Sequence, residues 1–445
     1  FASRLAADNS SGFRVQNGGP SSTVRRTMAE IGTKGGAARG LMKALGWRVR
    51  LPLANLLRII PFAAAMVLMM VLWGACGDGL FPEVTSSSSS SGTGTPTPGS
   101  GSFFYVTNYA AGNVSEFHRN PSSGALSSFA TIAAGAKNGP IGLAMATPTT
   151  PYLYVASSAS NATYQYAINS SGGGLSVIGT GHIAAGAAPQ WVAVTPSGAY
   201  AYTTNFGTNN TNGSISQYTI DSSTGALTAN TPSTVTASIV HPAGAVATDS
   251  FVFVTDQGNE DIVTYSINSN GALQLPSEID LGAGSIPGPI YIDASTQYVY
   301  ATDTALGLVY AFAISGSGLS FLGSYTAAGS GTNVSMGLAT VITSDSIEYL
   351  YVANEATNSI SQFLVTDGVG TLTPITTYTT GNLESPTGAA AVTDSTSGNS
   401  YLYVTNQANG TISIFSIDPL SGDLTFDNTV STGASSQPMF PLIAF

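Results

Sequence analysis

The sequence predicts an all-β protein, a seven-bladed β-propeller with four-stranded blades, over residues 103–445. The first observation is a run rich in Tyr and Val that recurs seven times, at intervals of 47 to 52 residues. The second is that another strand-like segment and a turn follow each run. The third is that charged residues make up only 8% of the chain, which favours short strands joined by tight turns.

The Tyr- and Val-rich run is predicted to be the second strand of each blade, counted from the propeller axis. Aromatic residues alternate in it with small or β-branched ones, which indicates a strand buried on both faces. The seven runs are FFYVTN from Phe103, YLYVAS from Tyr152, YAYTTN from Tyr200, FVFVTD from Phe251, YVYATD from Tyr298, YLYVAN from Tyr349 and YLYVTN from Tyr401.

The segment after each run is predicted to be the third strand. It has an aromatic residue in all seven repeats, and a mostly β-branched residue lies three positions earlier. This odd spacing places the two side chains on opposite faces, so both faces must be covered, as in a blade between two neighbours. The aromatic residues are Phe117, Tyr166, Tyr218, Tyr265, Phe312, Phe363 and Phe415, and the earlier ones are Val114, Thr163, Ile215, Ile262, Val309, Ile360 and Ile412.

A turn of the form Asx-x-x-x-Gly-x-Leu follows, as in NPSSGAL from Asn120 and DPLSGDL from Asp418. Gly supplies a positive φ angle and the Asx side chain closes the turn. The Leu begins a more polar strand, which we predict to be the outer one. These residues are Leu126, Leu175, Leu227, Leu273, Leu319, Leu372 and Leu424.

Small residues that follow a Pro are predicted to form the innermost strand, because backbones crowd at a propeller axis. Examples are GPIGLAMA from Gly139 and HPAGAVA from His241. The propeller starts with a second strand at Phe103, whereas residues 437–445 have the inner-strand pattern. We therefore expect residues 437–445 to complete the blade begun by residues 103–133 and to close the ring.

Charge and cysteine content exclude several classes of function. Ten of the 12 Lys and Arg residues lie at or before Arg58, and from Gly77 onward Arg119 and Lys137 stand against 21 Asp and Glu residues. Such a surface repels nucleic acid and anionic lipid headgroups. A single Cys excludes an internal disulfide framework, and the absence of CxxCH excludes covalent c-type haem.

The run YLYVTN at residues 401–406, followed by TISIFSIDPLSGDLT through Thr425, resembles the lactonase-type, or YVTN-repeat, propellers of bacteria. That group includes proteins similar to 6-phosphogluconolactonase and to cycloisomerases of muconate. Its hydrolytic members often have Arg and His after the inner-strand Pro. With one Arg and one Lys in the repeats, we do not expect a phosphorylated lactone as substrate. The corresponding positions here are Ile141, Gln190, Ala243, Thr387 and Met439.

The N-terminal region is predicted to direct export. Residues 1–58 form a leader, in which Met42 is a plausible start and residues 1–41 an over-extended gene assignment. Residues 59–76 contain an apolar run followed by Gly74, Ala75 and Cys76, which resembles a bacterial lipoprotein signal, although Trp73 stands where Leu is usual. The resemblance implies lipid attachment at Cys76 and a tether at the cell envelope. An uncleaved anchor with an incidental Cys is the alternative.

Residues 77–102 are rich in Ser, Gly, Thr and Pro, and we predict a flexible linker before the propeller. The propeller itself is expected to be a monomer that meets the membrane only through the N-terminal anchor.

A polar residue ends each predicted second strand. One interpretation is a ligand-binding face around the channel mouth. The other is a set of turn caps, which the sevenfold recurrence favours. The ligand-face candidates in this ring are Asn205, Asp256, Asp303, Asn354 and Asn406, and the remaining two members are Asn108 and Ser157.

Asp256, Glu260 and Asp261 form the densest acidic cluster, and Asp261 is a further ligand-face candidate. The cluster could hold Ca²⁺, but its spacing matches no known loop motif, so a solvated acidic hairpin is favoured. No metal site and no cofactor are predicted.

His241 precedes an inner-strand Pro and is a weak candidate for a catalytic base, since a lone His is more often structural. Trp191 lies on an inner strand and could form the floor of a sugar pocket or pack in the core. No GxSxG, HExxH, Walker or GxGxxG motif is present. The sequence therefore predicts a binding module for an unknown protein, glycan or small molecule. Hydrolysis of a small, unphosphorylated lactone is the alternative.

Overall fold

The structure is a computed structural model that describes residues 103–147, 150–208, 213–236, 238–293, 295–327, 335–379 and 381–444. Within these ranges the chain forms 28 β-strands and one short 3-10 turn, Ser158–Ser160. No helix in this part of the chain has the length and hydropathy needed to cross a bilayer. The predicted leader, Cys76 and the predicted linker lie outside the described residues.

The strands are short and follow one another closely along the chain. The first fourteen are β1 (Phe103–Asn108), β2 (Asn113–Arg119), β3 (Leu126–Ala133), β4 (Pro140–Ala146), β5 (Tyr152–Ser157), β6 (Ala162–Ile168), β7 (Leu175–Ala184), β8 (Pro189–Val194), β9 (Tyr200–Asn205), β10 (Ser214–Ile220), β11 (Leu227–Val235), β12 (Pro242–Ala247), β13 (Phe251–Asp256) and β14 (Asp261–Ile267). The others are β15 (Leu273–Asp280), β16 (Pro287–Ile292), β17 (Tyr298–Asp303), β18 (Leu308–Ser315), β19 (Gly318–Thr326), β20 (Ser335–Ile342), β21 (Glu348–Asn354), β22 (Ser359–Val365), β23 (Leu372–Tyr378), β24 (Pro386–Thr393), β25 (Ser400–Asn406), β26 (Thr411–Ile417), β27 (Leu424–Ser431) and β28 (Pro438–Ala444).

These strands form seven antiparallel sheets of four strands, one for each predicted blade. From the second blade (β4-β5-β6-β7) to the seventh (β24-β25-β26-β27), four consecutive strands lie in the order inner, second, third and outer. The first blade has the order β28-β1-β2-β3. The predicted seven-bladed propeller and its strand order are therefore confirmed.

The first blade joins the two ends of the repeat region. β28 pairs antiparallel with β1, so that Phe103 lies opposite Ala444 and Tyr105 lies opposite Leu442. The backbone N–H of Phe440 also donates a hydrogen bond of 3.3 Å to Thr107 Oγ1. The predicted closure by the C-terminal strand is thus confirmed, and it removes an unpaired edge from the first blade.

Burial explains the residue pattern of each blade. All six residues of β1, of β5 and of β17 are buried, because neighbouring blades cover both faces of these second strands. Val114 and Phe117 of the third strand β2 are also fully buried, on opposite faces, as their odd spacing predicts. The outer strands β3 and β27 are mostly exposed, which accounts for their polar composition.

The third residue of the Tyr- and Val-rich run, a Tyr in six of the seven blades, links its blade to the next one. Its Tyr hydroxyl donates a hydrogen bond of 2.6 to 3.0 Å to the carbonyl of the turn Gly in the neighbouring blade. These pairs are Tyr105–Gly173, Tyr154–Gly225, Tyr202–Gly271, Tyr300–Gly370, Tyr351–Gly422 and Tyr403–Gly124.

The first aromatic residue of the same strands explains why the turn requires Gly. Gly173 has φ +70°, and a side chain there would collide with the ring of Phe103. Gly124 has φ +67° and lies equally close to the ring of Tyr401. The two aromatic residues of a second strand and the Gly of the next blade's turn are therefore one packing unit, repeated around the ring.

The contact between the fourth and fifth blades departs from this rule. Phe253 stands where the other blades have Tyr, so no hydroxyl is available. The turn of the fifth blade is also shorter, and the carbonyl of Gly318 accepts a hydrogen bond of 3.0 Å from Ser315 Oγ within its own turn. The Gly318 carbonyl thus has a donor within its own turn although Phe253 offers none.

Candidate functional site at the mouth of the axial channel

Several inner strands have a β-bulge near their first residue, where their pairing with the second strand is irregular. Register shifts occur after Pro140, Pro189, Pro242 and Pro287, so each bulge falls at the same end of the propeller. A Thr of the preceding blade accommodates the bulge in several places. Thr107 Oγ1 donates a hydrogen bond of 2.6 Å to the Ile141 carbonyl, and Thr204 Oγ1 donates one of 2.8 Å to the Ala243 carbonyl. These bulges shape the mouth of the axial channel.

The channel is a cavity of about 530 Å³ to which all seven inner strands contribute. Its lining side chains are almost entirely apolar, and Tyr291 provides its one hydroxyl side chain among the described residues. The lining residues are Leu143, Ala144, Met145, Trp191, Val192, Ala193, Val194, Ala245, Val246, Ala247, Pro289, Ile290, Tyr291, Ile292, Gly337, Leu338, Ala389, Ala390, Ala391, Phe440, Pro441, Leu442 and Ile443.

A second cavity, of about 120 Å³, lies where the inner strands begin, and we call it the mouth cavity. It shares Trp191, Pro289 and Phe440 with the channel, so the two cavities adjoin. Its polar side chains are two amides and a hydroxyl, all neutral. The lining residues are Ile141, Gln190, Trp191, Ala243, Gly244, Gln257, Gly288, Pro289, Thr304, Met439 and Phe440.

Trp191 belongs to both cavity walls and to the core. Its ring lies edge to face with Phe440, with centroids 4.5 Å apart and planes at 69°. Its backbone N–H donates a hydrogen bond of 3.1 Å to Thr204 Oγ1, and this bond lies at the bulge of β8. From the sequence, core packing and a pocket floor are alternatives for Trp191. In the structure Trp191 does both: it packs against the core and it lines the mouth cavity.

His241 lies on the rim of the mouth, two residues before Ala243 of the mouth cavity. Its ring stacks on Phe206, with centroids 4.7 Å apart and planes at 14°. Its backbone N–H donates 2.7 Å to Asp256 Oδ1, and its carbonyl accepts a hydrogen bond from Gln257 N–H. His241 is thereby positioned next to a mouth residue, although it is not part of the cavity wall itself.

The polar ring at the ends of the second strands is fully buried. Asn205 Nδ2 donates 3.0 Å to both Ser214 and Ser216, and the Asn354 and Asn406 amides likewise bond to hydroxyls on their third strands. Asp303 accepts bonds from Ser285, Ile286, Ala305, Leu306 and Tyr310, and the net effect lowers its pKa despite its burial. The ring residues thus brace their own blades, and none of them lines either cavity.

The acidic cluster of the fourth blade is not the solvated hairpin that the sequence favours. Asp256 is fully buried and accepts hydrogen bonds from four donors, on Val240, His241, Gly258 and Asn259. Asp261 is also buried, and its Oδ1 has no hydrogen-bond partner.

Burial raises the pKa of Asp261 to about 7, and the charges of Asp256, Glu278 and Asp280 add to the shift. Among the described residues, no group of three or more His, Cys, Asp or Glu is placed to hold a metal ion.

The two cations of the repeat region lie away from the mouth cavity. Arg119 ends β2 and is buried, and its Nη2 lies 3.7 Å from Asp394 Oδ2 of the seventh blade. Burial is possible because the neighbouring blade supplies the opposite charge. Lys137 is exposed in the loop between β3 and β4. Neither residue lines either cavity, so neither is placed to bind a phosphate there.

Sequence reasoning did not single out several residues of the mouth cavity, among them Gln257, Thr304 and Phe440. Gln257 and Thr304 directly follow the ring residues Asp256 and Asp303, so their position in the repeat could have identified them. Phe440 lies on the predicted closing strand, but only the structure shows that its ring packs against Trp191.

Comparison with known proteins extends this description. The family model described as lactonase, 7-bladed beta-propeller, matches residues 103–438. A periplasmic gluconolactonase from Pseudomonas aeruginosa is 19% identical, with 78% of this chain and 99% of that chain covered and a TM-score of 0.64. A candidate 6-phosphogluconolactonase from Bacteroides fragilis is also 19% identical, with coverages of 78% and 99% and a TM-score of 0.63.

At such identities the two structures show a shared fold alone. A search of curated proteins gave no match. The family match covers most of the chain, and it includes all seven second strands and every residue of the mouth cavity except Met439 and Phe440. The chain therefore belongs to the lactonase family of seven-bladed β-propellers.

Proposed function

We propose that the protein hydrolyses a small, uncharged lactone at the mouth cavity. The observation that supports this proposal is the set of neutral polar side chains there, Gln190, Gln257 and Thr304, beside the aromatic wall of Trp191, in a member of the lactonase family. Neutral donors next to an aromatic ring suit a ring ester that has no charge of its own.

The chemistry requires few groups. Water adds to the lactone carbonyl carbon, the ring C–O bond breaks, and the product is a hydroxy acid. Negative charge develops on the carbonyl oxygen during this step, and N–H or O–H donors stabilise it without carrying a charge themselves. The amides of Gln190 and Gln257 can provide such donors. His241, on the rim, is our candidate for the base that removes a proton from the attacking water.

The charge distribution argues against a phosphorylated substrate. Tight phosphate sites use Arg, Lys or several backbone N–H groups. Arg119 is buried against Asp394, and Lys137 does not line the mouth cavity. We therefore expect no preference for 6-phosphogluconolactone over its unphosphorylated form.

A second candidate is a binding module without catalytic activity, tethered at the cell envelope through Cys76. The observation that favours it is that the residues lining the mouth cavity include no Asp, Glu, His, Lys or Arg. A cavity of this kind can hold a neutral small molecule and leave it intact. The family match supports hydrolysis more strongly, so binding alone is the second choice.

The test is a panel of lactones assayed with the full-length protein. Glucono-δ-lactone, γ-butyrolactone and 6-phosphoglucono-δ-lactone are compared by following acid release at pH 7. We expect turnover of at least one unphosphorylated lactone. Gln257→Leu should lower kcat/KM at least tenfold, since removal of a transition-state donor typically costs about a hundredfold or more.

The base is tested by His241→Ala, with His182→Ala as the matched control on the exposed outer strand β7. We expect a loss of about a hundredfold or more for His241→Ala and no change for His182→Ala. If no lactone is hydrolysed above the uncatalysed rate, the hydrolase proposal is wrong. If His241→Ala keeps full activity, another group removes the proton.

A further inference from the structure

The channel next to the mouth cavity is lined almost entirely by apolar side chains. It is about 530 Å³ in volume, within the range of small-molecule sites, and its lining side chains are apolar except for Tyr291, while backbone groups of the inner strands complete the wall. Its large lining side chains include Met145, Val246, Ile292, Leu442 and Ile443. Side chains of this kind can pack against a hydrocarbon chain.

The boundary between the mouth cavity and the channel is apolar as well. Trp191, Pro289 and Phe440 form the wall that the mouth cavity and the channel share. On the rim of the fifth blade, Ile286 and Leu306 are 40% and 44% exposed and flank Thr304 of the mouth cavity. Thr304 therefore lies between apolar side chains of the rim and the apolar boundary of the channel.

We propose that the substrate is a lactone with an unbranched hydrocarbon chain, whose ring occupies the mouth cavity and whose chain extends into the channel. This inference rests on the proposed function, because it assigns the ring ester to Gln190, Gln257 and Thr304. It goes beyond that function by giving the channel a role and the substrate an amphipathic character.

The expected size of the effect follows from burial of the chain. Each methylene transferred from water to an apolar site contributes enough to raise kcat/KM about threefold to fourfold. A series of γ-lactones with hydrogen, butyl, hexyl or octyl at the ring carbon beside the ring oxygen should therefore show a steep rise in kcat/KM. The rise should level off once the chain fills the channel.

Two channel variants test where the chain lies. Ala390→Leu and Val246→Phe enlarge side chains that line the channel but not the mouth cavity. Both should abolish most of the gain with chain length and keep the kcat/KM of unsubstituted γ-butyrolactone. Ala229→Leu, the same change on the exposed outer strand β11, is the matched control and should behave as the wild type. Urea unfolding midpoints identify any variant that fails to fold.

A binding measurement separates this inference from the proposed function. Hydrolysis-resistant γ-lactams with the same substituents are titrated into the full-length protein by calorimetry. Tighter binding of the octyl lactam by tenfold or more, lost in Val246→Phe, supports the channel assignment even if no lactone is hydrolysed. Equal affinities, or hydrolysis that does not depend on chain length, would overturn the channel assignment and leave lactone hydrolysis intact.

Discussion

The hydroxyl of Tyr403 donates a hydrogen bond of 2.9 Å to the carbonyl of Gly124, a residue 279 positions earlier in the chain. Tyr403 lies on the second strand of the last blade, and Gly124 lies in the turn of the first. Five other Tyr–Gly pairs make the same hydrogen bond between consecutive blades. Here, however, it joins the two ends of the ring, so the same short motif both stacks neighbouring blades and closes the propeller.

Loss of this hydroxyl should weaken the closing contact. Tyr403→Phe leaves the buried Gly124 carbonyl without its donor, and we expect a loss of about 1 to 2 kcal/mol in the free energy of unfolding, measured in urea. Tyr154→Phe removes the equivalent bond to Gly225 between the second and third blades and is the matched control. Similar losses would indicate a uniform ring; an unchanged stability for both variants would mean that the bonds contribute nothing net.

Removal of the C-terminal strand should have a larger effect. Deletion of residues 437–445 removes β28. The backbone edge of β1 is then exposed, and the contacts of Phe440 and Leu442 with β1 are lost. We expect the single cooperative thermal transition, monitored by circular dichroism, to be lost. A synthetic peptide of residues 437–445 should restore it when added to the shortened protein. A shortened protein with an unchanged melting temperature would contradict the closure.

The pKa of Asp261 predicts how stability depends on pH. Its folded pKa of about 7 lies above the ordinary value near 4, so the folded state holds the proton more tightly than the unfolded state. The free energy of unfolding should therefore rise as the pH falls through 7 toward 5. The charged groups that face Asp261 are Asp256 from β13 and Glu278 and Asp280 from β15, all acidic, so they act in the same direction.

Asp261→Asn provides the measurement. We expect this variant to be more stable than the wild type at pH 8 by about 1 to 2 kcal/mol, and the difference to shrink toward pH 5. Asp221→Asn, at an exposed turn where local hydrogen bonds lower the pKa to about 2, should show no such trend in that pH range. A constant difference between Asp261→Asn and the wild type from pH 5 to 8 would be the contrary result.

Membrane attachment is tested at Cys76. If the lipoprotein signal is used, Cys76→Ser removes the thiol that receives the lipid, and the protein should move from the membrane to the soluble fraction of the cell envelope. Trp73→Leu restores the residue usual at this position and should keep the protein on the membrane. Cell fractionation with immunodetection measures both. The lipid-anchor prediction is wrong if Cys76→Ser fractionates with the membrane as the wild type does.

Much of the fold follows from short stretches of sequence. The alternation in FFYVTN and its six counterparts, the Asx-to-Gly turns and the small residues after Pro each encode a strand or a turn through contacts a few residues apart. Because these patterns recur in a constant order, the number of blades, the strand order within a blade and the closing strand could all be predicted. Local periodicity is sufficient to predict the blades because every blade packs between two neighbours in the same way and therefore needs the same pattern of residues.

The candidate site depends on contacts that no single repeat contains. Gln190, Gln257, Thr304 and Phe440 come from four different blades and meet only because the ring brings these blades together at one mouth. Burial of Asp261 and of Arg119 likewise depends on what a neighbouring strand or blade places over them, and a residue's own sequence surroundings do not show this. Strand identity is local and was predictable, whereas the composition of the mouth and the charges of the interior arise from contacts between distant segments.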